Sequence, residues 1–371
     1  MRELVPVPRA VAALPWRILF VIAVIGGFGL VILYSAGGGF TPWASTQGIR
    51  FAGFFVMMIL ISHISPDFWA RISIPAYAGI AVALLGVEIL GAVSGGSQRW
   101  LDLGIIRVQP SEMMKLAVVL ALARFYAGLP RAHIRSAVAV WPALGLIALP
   151  AAMVFLQPDL GTALMIILGG VGVMFLAGLP LWLFIGTGSV ILVTLPIALS
   201  FLHDYQRERV LIFLNPESDP LGAGYHISQS KIAIGSGGFF GKGFLSGTQG
   251  RLDYLPELHT DFIFATMAEE WGFAGGLVLL GLFGTLLVWG WHVSLRASDR
   301  FDKLVAGGLT LTIFYYVAIN LMMVMGLAPV VGIPLPLFSY GGSAMMTVML
   351  CLGILLGVDR KTRGNGSRSF E

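Results

Sequence analysis

Residues 17–36 read RILFVIAVIGGFGLVILYSA, from Arg17 to Ala36, and after the arginine the run carries no charge. A bilayer core takes about 20 apolar residues per helix, so the run reads as a membrane span. Arg2, Arg9 and Arg17 before it and Tyr34-Ser35-Ala36-Gly37 at its end give it some likeness to a secretory signal. Its apolar stretch is longer than a usual signal core, and many similar stretches follow, so it reads as an uncleaved first helix.

Working outward with the same window gives ten spans, at 17–36, 49–64, 74–93, 111–128, 137–156, 160–178, 181–201, 262–291, 304–327 and 341–358. The fourth is the weakest, because Glu112 and Lys115 sit near its start. The eighth exceeds what a bilayer requires, so its first turns project beyond the membrane or the helix tilts. Composition agrees: of 371 residues, 57% are hydrophobic and 11% charged, against roughly a quarter charged in soluble domains. The expected fold is an all-α integral membrane protein of about ten helices, one polytopic domain over 1–371. A net charge of +4 gives no sign of nucleic acid, and the single cysteine, Cys351, excludes an intrachain disulfide and a cysteine-built metal site.

Basic residues orient the chain. Arg2, Arg9 and Arg17 precede the first span; Arg124, Arg131 and Arg135 flank the loop after the fourth; Arg296, Arg300 and Lys303 follow the eighth; Arg360, Lys361, Arg363 and Arg368 form the tail. With ten spans all four clusters fall on one side, which the positive-inside rule makes cytoplasmic. Both termini are then cytoplasmic, with 359–371 as a tail. The loops 94–110, 202–261 and 328–340 lie outside. The longest, 202–261, has apolar patches at Ile232-Ala233-Ile234 and Gly238-Phe239-Phe240, which point to packing at the membrane surface.

Ionisable residues in or beside a membrane are costly and mark function by default. Most here fall on the outer side. Arg99 and Trp100 precede Pro110, which opens the fourth span, and Glu112 and Lys115 lie three apart on one helical face. That pair is either an internal ion pair or part of a pocket whose Lys115 binds an anion, and the two are compatible. Asp159 begins the sixth span, where a carboxylate suits the helix dipole; it caps that helix or pairs with Lys115. The long loop opens with Arg207 and Arg209, and Gly235 to Gly243 surrounds Lys242. The glycine stretch is not a P-loop, since Ser236 stands where a P-loop has Gly and Lys242 is followed by Gly. It is a turn or a backbone anion nest. Asp261 begins the eighth span as a helix-end residue or a general base. Glu269, two turns deeper, is a buried partner for a cation such as Lys115. Pro334 and Pro336 forbid regular helix before the tenth span, making an ordered outer loop that leads into Ser339-Tyr340-Gly341-Gly342-Ser343.

Three of these stretches, Gln229 to Gly238, His259 to Phe264 and Ser339 to Ser343, carry a resemblance that covers nearly the whole chain. The sequence resembles the SEDS family of shape, elongation, division and sporulation proteins. Gly243 to Gln249 and Arg207-Glu208-Arg209 resemble its elongation member more than its division member; Phe338 departs from the smaller aliphatic residue common in the family. The resemblance implies a peptidoglycan glycosyltransferase of the bacterial inner membrane that polymerises lipid II for elongation and rod shape. It implies a class B penicillin-binding protein and other elongation-machinery membrane proteins as partners, and an essential catalytic aspartate at Asp261. The expected reaction is an inverting transfer with Asp261 as base and undecaprenyl pyrophosphate as leaving group. Lys115, Arg207, Arg209 and Lys242 are the cations expected at the phosphates, with Glu112, Trp100, Arg99, Asp159, Glu269 and Ser343 as further substrate-binding residues. No cofactor is certain; a divalent cation, magnesium or manganese, could share the charge. The alternatives are a lipid II flippase and a non-catalytic scaffold for the penicillin-binding protein.

Overall fold

The computed structural model describes residues 14–90, 92–94, 97–102, 107–198, 212, 223–248 and 259–368. In chain order its helices are α1 (Trp16–Ala36), α2 (Ser45–Ile61), α3 (Pro66–Leu90), α4 (Pro110–Gly128), α5 (Ala137–Leu156), α6 (Leu160–Ala177), α7 (Leu181–Ala198), α8 (Ala223–Ser236), α9 (Ile263–Arg296), α10 (Arg300–Val324) and α11 (Gly342–Arg368). All but α8 match the ten expected spans. Between α3 and α4 lies a small antiparallel sheet of β1 (Ala92–Ser94), β2 (Ser97–Asp102) and β3 (Arg107–Val108), in that spatial order.

Burial sorts the helices. The apolar windows of α2 and α3 are only 17% and 22% buried, whereas those of α10 and α11 are 78% buried, so α2 and α3 meet lipid and α10 and α11 meet protein. The weak hydropathy of α4 has a structural reason: it is buried from Pro110 to Tyr126 on most of its surface, and Glu112 and Lys115 are among the buried residues. Helices in a membrane gain no hydrophobic drive from each other and associate by close packing of small residues. Here Gly308 of α10 lies against Val119 of α4 and Val173 of α6.

The ends are also sorted. At one end Arg300 donates to the Leu129 carbonyl at 2.6 Å and Arg360 to the His63 carbonyl at 3.1 Å. Lys361 meets Asp67, Asp299 and Asp302 at 3.1, 2.6 and 2.9 Å. These contacts join the loop after α4 to the start of α10, and the loops after α2 and α9 to α11, which continues as helix through Arg368 instead of ending near 358. Hydrogen bonding and charge from Lys361 hold the Asp299 carboxyl below its ordinary range.

The unusual length of α9 hides a break. Gly272 adopts φ 64° and ψ −163°, outside any helix. The loop after α8 fills the gap: Lys242 and Gly243 N–H donate to the Glu269 and Glu270 carbonyls, and Phe273 and Ala274 N–H donate to the Gly238 and Phe239 carbonyls, all at 2.9–3.0 Å. A Cβ on Gly241 would overlap the Glu270 carbonyl. The glycine stretch is therefore a fitted plug, not a free turn.

Candidate active site

At the end opposite the Lys361 cluster, four segments converge: β2 with the start of α4, the turn between α5 and α6, residues 259–261, and the loop 331–344. They enclose a cavity of about 350 Å³ whose lining includes Asp261, Glu112, Asp159, Arg99, Trp100, Tyr340 and Ser343.

The three carboxylates are held differently. Glu112 is buried and fully engaged, accepting from Lys115 at 2.6 Å and from the Tyr316 hydroxyl at 2.5 Å. Lys115 also sits over the Tyr316 ring, 4.3 Å from its centre. Asp159 caps α6 by accepting from the Thr162 N–H at 3.0 Å, and its other oxygen accepts from Gln109 at 3.1 Å. Its capping role is the one the sequence suggested; a pairing with Lys115 does not occur. Asp261 precedes α9, is half-buried and faces the cavity.

The position of Asp261 is set from both sides. Asn320 on α10, fully buried, donates to the Asp261 carbonyl at 2.9 Å and to the Ile333 carbonyl at 2.7 Å. Tyr340 N–H donates to the His259 carbonyl at 2.8 Å. His259 stacks on Trp43 at 4.4 Å, and Trp43 meets Tyr340 edge-on. The proline-bearing loop is thus pinned to the segment that carries Asp261. A carboxylate so placed, half-exposed within a cavity, can accept a proton from a bound hydroxyl.

The remaining expected residues separate. Arg99 donates to the carbonyls of Gln157 (3.1 Å) and Pro158, bracing the turn before α6. Glu269 is buried and accepts from Lys242 at 2.6 Å and from Thr248 N–H and hydroxyl. Lys242 and Glu269 therefore pair with each other beside the α9 break, and neither belongs to the cavity lining. Glu269 is not a partner of Lys115. Arg207 and Arg209 lie outside the described residues. Sequence reasoning missed Tyr316 and Asn320. The available signal was two polar side chains four apart on one face of a largely apolar span.

Comparison with known proteins agrees with this architecture. Residues 13–364 match the family described as cell cycle protein, FtsW/RodA/SpoVE. The chain belongs to the FtsW/RodA/SpoVE family. Among members of the FtsW/RodA/SpoVE family, peptidoglycan glycosyltransferase MrdB of Escherichia coli (strain K12) is 45% identical over 348 residues, 93% of this chain and 92% of its own. Stage V sporulation protein E of Bacillus subtilis (strain 168) is 36% identical over 350 residues, 90% of this chain and 94% of its own. Solved structures superpose throughout. One, reported under "Structural coordination of polymerization and crosslinking by a peptidoglycan synthase complex", gives a TM-score of 0.82 at 33% identity, covering 94% of this chain and 98% of that one. The rod shape determining protein RodA of Thermus thermophilus gives 0.71 at 29% identity, covering 94% and 97%.

Proposed function

We infer that this chain is a peptidoglycan glycosyltransferase, a multi-pass protein of the bacterial inner membrane that polymerises lipid II with Asp261 as general base. The observation that carries the reading is Asp261 on the wall of a cavity shared with Glu112, Asp159, Arg99 and Trp100, together with the FtsW/RodA/SpoVE membership.

The basic ends gather at the pole opposite the cavity, and the positive-inside rule makes that pole cytoplasmic. Asp261 then stands at the outer surface, where a lipid-anchored sugar is accessible. The acceptor's sugar hydroxyl attacks the donor's anomeric carbon. The proton passes to the Asp261 carboxylate. The bond from the anomeric carbon to the diphosphate oxygen breaks, and its electron pair leaves with undecaprenyl pyrophosphate. Asp261 is the carboxylate assigned to proton transfer because it lies on the cavity wall at the start of α9. Among the described residues, no three or more His, Cys, Asp or Glu side chains converge as a metal-holding group. No step is assigned to magnesium or manganese.

A class B penicillin-binding protein as partner is supported by the structural likeness to a chain of a peptidoglycan synthase complex. A flippase would place its polar site near the midplane; here the cavity lies at one end, which favours the polymerase. The test is Asp261→Asn in purified protein with lipid II. Glycan product should fall by at least about a hundredfold while the detergent-solubilised protein keeps its unfolding midpoint. Polymer at the unmodified rate would refute the assignment, and lipid II translocation without polymer would make the protein a flippase.

A further inference from the structure

The departing diphosphate carries charge that must be met by donors; of the four cations first expected there, Lys115 and Lys242 are engaged elsewhere, and Arg207 and Arg209 lie outside the described residues. Lys115 is tied to Glu112 and Lys242 to Glu269, and Arg99 braces backbone carbonyls. Another part of the cavity lining offers a further set. Gly341, Gly342, Ser343 and Ala344 line it, at the beginning of the long helix α11. The Met345 N–H bonds back to the Gly341 carbonyl at 3.1 Å. The N–H groups of Gly342, Ser343 and Ala344 thus have no intrahelical acceptor, and the positive end of the helix dipole points the same way.

Two side chains turn this helix start into more than a dipole. Ser343 is 5% exposed, yet its hydroxyl has no hydrogen-bond partner. A buried hydroxyl in a cavity wall without a partner is costly unless something binds there. Arg50 of α2 lies with its guanidinium 3.5 Å from where a Cβ on Gly342 would stand, and over the Tyr340 ring at 5.0 Å. Arg50 makes no ion pair among the described residues.

We propose that the first turn of α11, with the Ser343 hydroxyl and the Arg50 guanidinium, is a diphosphate subsite that holds the lipid-linked leaving group in the cavity that Asp261 also lines. It rests on the glycosyl-transfer reading for its substrate. When the bond to the anomeric carbon breaks, the new negative charge develops against these donors, while the proton goes to Asp261.

The experiment measures inhibition of lipid II polymerisation, and direct calorimetric binding, with two probes: undecaprenyl pyrophosphate and inorganic pyrophosphate. Ser343→Ala should weaken both probes by about tenfold, the loss of one hydrogen bond to a charged group, and Ser343→Asp by more. Arg50→Gln should weaken both in parallel with a larger loss in kcat than in KM. Size-exclusion profiles of the three variants should match the parent. The subsite is overturned if Ser343→Asp binds either probe as the parent does. Because binding needs no turnover, the two readings separate. A polymerase indifferent to Ser343→Asp removes the subsite and keeps the activity. A protein that makes no polymer but loses pyrophosphate binding on Ser343→Asp removes the activity and keeps the subsite.

Discussion

Replacing Lys115 by methionine would separate a structural role from a substrate role. Lys115 and Glu112 are 1% and 7% exposed at the side chain and 2.6 Å apart. Methionine fills the stem's volume but leaves the Glu112 carboxylate buried, with only the Tyr316 hydroxyl as donor. Breaking one side of a buried pair costs about 3–5 kcal/mol, because a charge is left uncompensated; replacing both sides with well-packed neutral residues is close to neutral. Lys115→Met alone should lower the detergent unfolding midpoint and the polymerisation rate together. Lys115→Met combined with Glu112→Gln should regain most of that stability, with a coupling of at least about 2 kcal/mol in the double-mutant cycle. The assay is thermal unfolding of all four proteins beside lipid II polymerisation. Were Lys115→Met to lose turnover with an unchanged midpoint, the lysine would be acting on substrate, and the engaged-pair reasoning would fail.

Other consequences can be measured in the same way. Asn320→Leu deprives the buried Ile333 carbonyl of its donor, at about 1–3 kcal/mol, removes the bond to the part-buried Asp261 carbonyl, and lets the Asp261 segment drift; turnover should fall by about a hundredfold with a modest change in substrate KM, and normal turnover would discount the bridge. Gly161→Ala puts a methyl group into the Val331 carbonyl, so it should push the proline loop off α6 and lower both midpoint and activity, whereas Gly145→Ala, with open space around it, should change neither. At the basic pole, Asp299 has a lowered pKa because of Lys361. Its stabilising contribution is present above the ordinary carboxylate value and fades as pH falls through the lowered one; an acid titration of the midpoint should show this loss in the parent and not in Lys361→Met. The effect is small, since Asp299 is half exposed to solvent that screens it.

Much of the architecture could be read before the structure was seen, because span length is a nearly one-dimensional property. All ten windows became helices, and the fourth, the weakest because Glu112 and Lys115 sit near its start, is the one whose start is buried in protein. The i,i+3 spacing of Glu112 and Lys115 foretold their pairing for the same reason: it is local. Partner choice across the bundle was not legible. Glu269 takes Lys242 and Asp159 takes Gln109, pairings decided by how α9 breaks and how β2 and α4 fold over the α5–α6 turn. Nothing in the spacing of Tyr316 and Asn320 says that one reaches Glu112 and the other bridges Asp261 to Ile333. The break at Gly272 was hidden too, since hydropathy runs through it without a pause.

That break has a bearing on which parts of the chain can vary. Hydrocarbon supplies no hydrogen bonds, so an interrupted helix survives at membrane depth only if protein satisfies its freed backbone groups. The segment from Gly237 to Gly243 does this for α9, amide by amide. Its length and its glycines are therefore fixed by another helix's backbone and not by any side chain of its own. Shortening it by a residue would unseat α9 some ten residues past Asp261, and the carboxylate would lose the rigid mast on which it stands.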